Sequence, residues 1–272
     1  MPIAGLEVGL PASIDEVDAA WLTEVLRTSG GIDPGTSVTS VRTEPFQVGV
    51  GLLGQLARAT LTYEGGAGPA TLIMKWPIDV PHQRGMADAM NVYEREARFY
   101  TDLEPRSELR TARVHAAMIA ADKSQSMVVM EDLSALRQAD RFEGVTWDEA
   151  VTADKTLARF HAGWHESPEL EELSEVWYSL LNPLYNVILP QFVEAGWEPC
   201  QRHRPDLLDP DLIAFGDDWA ELLPAMQRHL TTSPPLIHAD WRADNMFIDD
   251  QGELVMVDFQ LIGVGNGAYD LG

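Results

Sequence analysis

"PLIHADWRADNMFIDD", residues 235–250, places a group of polar side chains between two short apolar segments. The apolar segments are Leu236-Ile237 before the group and Met246-Phe247-Ile248 after it. The polar group consists of His238, Asp240, Arg242, Asp244 and Asn245. Buried strands on both sides would hold this polar loop in one conformation, as a catalytic or binding site requires.

A second strand pattern follows the polar loop. The turn sequence "DDQG", residues 249–252, separates "NMFI" from "ELVMVDF" and predicts a β-hairpin. Such a hairpin would bring Asp258, at the end of its second strand, beside Asn245 and Asp240. Asparagine and aspartate oxygens are hard ligands that suit Mg²⁺ together with substrate phosphates. A separate carboxylate, Asp240, can orient a hydroxyl group and accept its proton.

The spacing H-x-D-x-x-x-x-N is by itself a weak signal. An alternative interpretation is that Asp240, Asp244 and Asn245 only cap turns. The "VDF" one hairpin later and two features upstream favour the catalytic interpretation.

The first upstream feature is the segment "VGVGLLG", residues 48–54, in which Gly49, Gly51 and Gly54 have G-x-G-x-x-G spacing. It lies between two predicted strands, which argues against a dinucleotide-binding turn and for a hairpin that covers phosphates. Glycine allows the backbone to approach a polyphosphate closely. The alternative is that these glycines only form a turn.

The second upstream feature is Lys75, which lies inside the apolar strand "LIMKW". Lysine is seldom buried without a partner, and Glu96 on the next predicted helix can provide one. The pair would direct the ammonium group at phosphate oxygens. Two alternatives are that Lys75 is an edge-strand lysine reaching water, and that Glu94 is its partner.

Composition limits the class of protein. The chain has 272 residues, with 19 Lys and Arg against 43 Asp and Glu, a net charge of -24. This charge argues against nucleic-acid binding and is compatible with a cationic substrate. Cys200 is the single cysteine, and no segment resembles a signal peptide or a membrane helix. We therefore expect a soluble cytoplasmic protein that binds neither nucleic acid nor membrane.

Hydrophobic patterns divide the chain into two lobes. In the first lobe we expect a helix over 13–29, two strands within 36–63, a third at 71–76 and two more within 113–133. A loop over 77–90 and a helix over 90–103 complete it. From 146 the patterns are helical until the hairpin. His161 and His165, four residues apart, are interpreted as helix packing residues rather than metal ligands.

The order of these motifs resembles the aminoglycoside phosphotransferase and choline kinase family, within the protein-kinase-like fold. The resemblance begins near residue 46, and "IHADWRADNMFI" with "VMVDFQ" is its most specific part. It implies an α+β, bilobal fold. Residues 1–133 would form an N-terminal lobe with an antiparallel sheet and a helix. Residues 134–272 would form a mainly helical C-terminal lobe with the catalytic hairpin.

The resemblance also implies a role for each motif residue. Asp240 would be the catalytic base, Arg242 would stabilise charge on the transferring phosphoryl group, and His238 would support the loop. Mg²⁺ would be held by Asn245 and Asp258. The ATP-binding residues would be Gly49, Gly51 and Gly54 over the phosphates, Lys75 paired with Glu96, and the hinge residues Met130, Glu131 and Leu133 around adenine.

The resemblance implies an ATP-dependent phosphotransferase acting on a hydroxyl group of a small molecule, such as an amino-sugar, a choline-like amine or another alcohol. Two differences stand out. Ala239 replaces the usual glycine, and the chain ends at "AYDLG", before the helices that normally follow. A nucleotide-binding pseudo-kinase and a metal-dependent hydrolase therefore stay open as alternatives. The sequence does not identify the acceptor or the oligomeric state.

Overall fold

The computed structural model describes residues 9–46, 53–170, 185–229 and 234–271. The chain forms two compact units. The first comprises Met1–Arg159 and Asp240–Leu261, and the second comprises Phe160–Ala239 and Ile262–Gly272. The polar loop from Asp240 and its hairpin therefore belong to the same unit as the N-terminal sheet. The division at residue 133 is a different partition and stays a prediction.

A five-stranded antiparallel sheet with the order β1-β2-β3-β5-β4 forms the centre of the first unit. Its strands are β1 Ser37–Phe46, β2 Gly54–Glu64, β3 Thr71–Pro77, β4 Val114–Ile119 and β5 Ser126–Glu131. Alternate residues of β2, namely Ala57, Ala59 and Leu61, are buried, as expected for a sheet with one face on a core. The predicted strands are thus confirmed.

Helix α1, Ala19–Thr28, covers one face of this sheet with the apolar stripe that the sequence predicts. Its start differs from the prediction, because residues Ile14–Glu16 form a separate 3₁₀ turn. Asp18 is the N-cap, since its carboxylate accepts a hydrogen bond from the amide of Trp21 at 2.8 Å. Ser13, at the predicted start of the helix, makes no side-chain capping bond to the turn that follows it.

The segment expected to be a loop, 77–90, contains helix α2, Pro81–Ala89. Proline at a first helical position is favourable because its missing N–H has no helical partner there. The next helix, α3 Val92–Arg98, continues into a π-helical turn, Phe99–Leu103. The apolar periodicity of this region correctly predicts its buried face, formed by Tyr93, Ala97, Tyr100 and Leu103.

The predicted hairpin consists of β8, Met246–Ile248, and β9, Leu254–Met256, with Met246 opposite Met256. A short strand β6, Arg137–Gln138, extends it to three strands. The 3₁₀ turn Ala243–Asn245 leads into β8. Helix α4, Trp147–Trp164, begins with a capping box between Thr146 and Glu149.

The described part of the second unit contains two long helices, α5 Tyr185–His203 and α6 Pro210–His229. It also contains the end of α4, the antiparallel strand pair β7 Leu236–Ile237 and β10 Gly263–Val264, and a 3₁₀ turn, Gly267–Leu271. None of the helices that the structure describes is long and apolar enough to span a membrane.

His115 on β4 ties the sheet to the end of α1. Its imidazole is 3% exposed, and Nδ1 lies 2.9 Å from the hydroxyl of Ser29. Arg113 donates to the carbonyls of Ser29 and Gly30 beside it. A Cβ at Gly31 would lie 2.9 Å from the imidazole, so this close approach requires glycine. Burial, with a smaller effect of the Arg113 charge, lowers the pKa of His115 to about 4.

This shift predicts an acid sensitivity of the fold. Between pH 6.5 and 4 the unfolded chain binds a proton at His115 and the folded chain does not, so stability falls as pH falls. The loss would reach about 3 kcal/mol. Urea unfolding at several pH values should show a shallower pH dependence for His115→Gln than for the wild type. Parallel profiles for the two proteins would contradict this role of His115.

Candidate functional site

Lys75 lies in the middle of the sheet. Its strand β3 runs between β2 and β5, with Lys75 opposite Leu56 on one side and Val128 on the other. The residue is 9% exposed. The alternative interpretation as an edge-strand lysine is therefore wrong, because β3 has a partner strand on both sides.

Two carboxylates hold the Lys75 ammonium group. Nζ lies 2.8 Å from Oε1 of Glu96 and 2.8 Å from Oδ1 of Asp258. Glu94, the other candidate partner, forms an ion pair with Lys123 at 2.6 Å and accepts from Asn91. A single lysine on strand β3 therefore forms ion pairs with helix α3 and with Asp258, which lies after the hairpin.

The electrostatics of this cluster follow from its burial. Burial alone lowers the pKa of Lys75, but the charges of Asp258 and Glu96 outweigh it, so the pKa lies above its ordinary value. Burial raises the pKa of Glu96 to about 7, and Lys75 acts in the opposite direction. Two carboxylates share one ammonium group, so the cluster carries a formal charge of about -1 when all three groups are ionised.

Several contacts fix the segment that carries Asp258. The backbone of Phe259 hydrogen-bonds to Glu96, and its ring stacks on Phe99 with centroids 3.7 Å apart. The guanidinium of Arg95 donates to the carbonyl of Leu261 at 3.1 Å. Asp258 itself has a left-handed backbone, with φ of 68°, a conformation that costs energy in residues other than glycine.

The polar loop forms a second connected group around Asp240. The Asn245 amide Nδ2 donates to the Asp240 carboxylate at 2.9 Å and to its backbone carbonyl at 3.0 Å. Arg242 Nε lies 3.0 Å from the same carboxylate, while its Nη1 donates to Asp244 at 2.9 Å. The position of the Asp240 carboxylate is therefore set by its neighbours.

The hairpin brings the two predicted metal ligands, Asn245 and Asp258, close together. The amide of Val257 donates to the carbonyl of Asn245 at 3.1 Å, and Asp258 is the next residue. The Asn245 Nδ2 is engaged by Asp240, so its Oδ1 is the atom available to a cation. An amide oxygen and a carboxylate are hard donors, a set that fits Mg²⁺. Among the described residues, no three His, Cys, Asp or Glu side chains form a metal-binding group.

Asp270 in the second unit is a site-related residue that sequence reasoning missed. Its fully buried carboxylate accepts from the backbone amides of His238 at 2.9 Å and Ala239 at 2.6 Å. Oδ2 also lies 2.8 Å from Nε2 of His161. These bonds fix the two residues that precede Asp240. A single Asp inside "GAYDL" gives no local signal of this long-range contact.

Ala239, which replaces the usual glycine of the family pattern, has a left-handed backbone with φ of 62°. Alanine in this left-handed region costs about 1 kcal/mol. The Asp270 bond to the Ala239 amide helps to hold the strained conformation.

The other residues predicted to bind the nucleotide are the three glycines and the hinge residues. Gly49 and Gly51 lie outside the described residues. Gly54 begins β2, and a Cβ there would come within 3.2 Å of Lys75 Cε. In the predicted hinge, Met130 and Leu133 are buried, whereas Glu131 is exposed and its amide donates to the Arg113 carbonyl at 2.8 Å.

Comparison with solved structures shows the fold. The gentamicin complex of APH(2")-IIa has 18% identity and a TM-score of 0.50, covering 97% of this chain and 74% of that chain. The GDP and kanamycin complex of APH(2")-IIia has 15% identity and a TM-score of 0.50, covering 92% and 75%. At these identities the likeness concerns the fold alone. Comparison with curated proteins gives no significant match.

The family comparison covers most of the chain. The model of the ecdysteroid kinase-like family matches residues 49–272, a range that includes Lys75, Glu96, the polar loop and Asp258. The resemblance inferred from the motifs is thereby confirmed at the level of kinase-like family and fold. The chain belongs to the ecdysteroid kinase-like family.

Proposed function

We propose that this protein is an ATP- and Mg²⁺-dependent phosphotransferase that moves the γ-phosphoryl group to a hydroxyl of a small molecule. The observation that carries the proposal is the buried Lys75, which bridges Glu96 and Asp258. A buried lysine is costly unless it has charged partners, and this one is held rigidly beside a hard-oxygen donor pair. Phosphoryl transfer uses such a lysine to position nucleotide phosphates.

Asn245 and Asp258 would hold Mg²⁺, which when bound neutralises charge on the nucleotide phosphates. Lys75 would contact the α- and β-phosphates, and Arg242 would face the transferring group. Gly54, together with Gly49 and Gly51, would let the backbone cover the phosphates. Adenine would bind at the hinge of Met130, Glu131 and Leu133. The backbone amide of Glu131 itself donates a hydrogen bond to the carbonyl of Arg113.

Asp240 would act on the acceptor. Hydrogen bonds from Asn245 and an ion pair with Arg242 hold its carboxylate in one orientation. The acceptor hydroxyl donates to Asp240, its oxygen forms a bond to the γ-phosphorus, and its proton passes to the carboxylate. The bond between the γ-phosphorus and the bridging oxygen breaks, which releases ADP. Positioning and electrostatic stabilisation supply most of the rate enhancement.

The acceptor is proposed only as a class, a hydroxyl-bearing small molecule. The net charge of -24 is compatible with a cationic acceptor. The structural neighbours solved in complex with gentamicin and with kanamycin support a small-molecule acceptor in general. The complete set of catalytic residue types favours an enzyme over a nucleotide-binding pseudo-kinase.

Replacing the base tests the enzymatic part of the proposal. Asp240→Asn keeps the shape of the side chain but removes its ability to accept the proton, so we expect phosphate transfer to fall by at least about 100-fold. Transfer from ³²P-labelled ATP to a panel of amino-sugars, amines and other alcohols measures this, with circular dichroism to check the fold.

Asp250→Asn provides the matched control. Asp250 is exposed in the hairpin turn, so the same chemical change there should leave transfer unchanged. Near-normal transfer by Asp240→Asn would contradict its role as the base. A wild-type chain that binds ATP but transfers nothing to any acceptor would favour the pseudo-kinase.

Replacing Lys75 tests the nucleotide site. Lys75→Met keeps most of the volume but leaves Glu96 and Asp258 without their shared cation. We expect at least about tenfold weaker ATP binding and an unfolding free energy lower by about 3 kcal/mol. Calorimetric titration and urea unfolding measure the two effects. Lys155→Met, at an exposed position, is the control, and equal ATP affinity in both variants would exclude Lys75 from the site.

A further inference from the structure

Gln260 carries a buried amide that the proposed chemistry does not use. The residue is 6% exposed, and its Nε2 has no hydrogen-bond partner among the residues that the structure describes. An unsatisfied buried donor costs about 1–3 kcal/mol. Buried polar groups in folded proteins are nearly always paired, so this donor is available to a partner from outside the chain.

The amide lies beside the proposed phosphate site. A Cβ built on Gly54 would lie 3.4 Å from Gln260 Nε2 and 3.2 Å from Lys75 Cε. The unpaired donor and the stem of Lys75 therefore both lie next to Gly54, the last glycine of the G-x-G-x-x-G segment. A side chain at position 54 would make tight contacts with both groups.

The position of Gln260 is fixed by both of its neighbours. The backbone of Phe259 hydrogen-bonds to Glu96, and its ring stacks on Phe99. Leu261 accepts from Arg95 through its carbonyl. Because the backbone on each side is anchored to α3, the amide is held beside Lys75 before any ligand binds.

We propose that Gln260 is a nucleotide-binding residue whose Nε2 donates a hydrogen bond to a phosphate oxygen of the bound nucleotide. This inference rests on the proposed function. A neutral donor suits this position, because it needs no counter-ion and Glu96 and Asp258 already share the single charge of Lys75. A hydrogen bond to a phosphate would satisfy the buried donor, so it would add to the free energy of nucleotide binding.

Gln260→Met is the most informative substitution, since it preserves the volume of the side chain and removes the donor. We expect ADP affinity, measured by calorimetry, to fall about tenfold or more, while adenosine, which lacks phosphate, binds equally well. The melting temperature without ligand should be unchanged or higher, because an unsatisfied polar group has been removed. Gln251→Met, exposed in the hairpin turn, should match the wild type throughout.

Gln260→Glu tests whether Gln260 acts as a hydrogen-bond donor or as a metal ligand. A glutamate keeps an oxygen for a cation but cannot donate when ionised, so we expect weaker ADP binding both with and without Mg²⁺. Equal or tighter binding in the presence of Mg²⁺ would overturn the inference in favour of a metal ligand.

Other outcomes also overturn the inference and show which part fails. If Gln260→Met binds ADP as the wild type does, the role of Gln260 alone is wrong. If it loses adenosine affinity and stability together, the amide is structural. If the wild type binds no ADP, the nucleotide site fails and this inference fails with it.

Discussion

The buried ion pairs of Lys75 are the interaction on which the rest of the site depends. Taking an ammonium group out of water costs several kcal/mol, and only close, hydrogen-bonded partners offset that cost. Glu96 and Asp258 provide them at 2.8 Å each. One lysine thereby fixes the relative positions of the central strand, helix α3 and the end of the hairpin. A phosphate site needs these three elements in a constant arrangement.

Two residues with strained backbones lie at the ends of the segment that carries the chemistry. Ala239 and Asp258 both have left-handed backbones, and each is held by bonds to neighbouring groups. Asp270 binds the amide of Ala239, while Lys75 binds the carboxylate of Asp258. Strained residues persist only where the surrounding structure over-determines them, which is common at functional sites.

The sequence predicts the parts of the structure that depend on local patterns. The hairpin followed from alternating apolar residues around "DDQG", and burial of Lys75 followed from its place in an apolar strand. Helix α2 was missed because it is short and mostly polar and contains Pro81 and Gly85, which usually indicate loops. The start of α1 was misplaced because Ser13 and Asp18 are both acceptable N-cap residues. Asp270 and Gln260 could not be found, because their partners and surroundings are distant in the chain.

A crystal structure with a non-hydrolysable ATP analogue and Mg²⁺ tests the central claim most directly. The account predicts Lys75 Nζ within hydrogen-bonding distance of the α- and β-phosphate oxygens, with Asn245 and Asp258 on the same ion. A nucleotide bound elsewhere, or Lys75 making no contact with its phosphates, would contradict it.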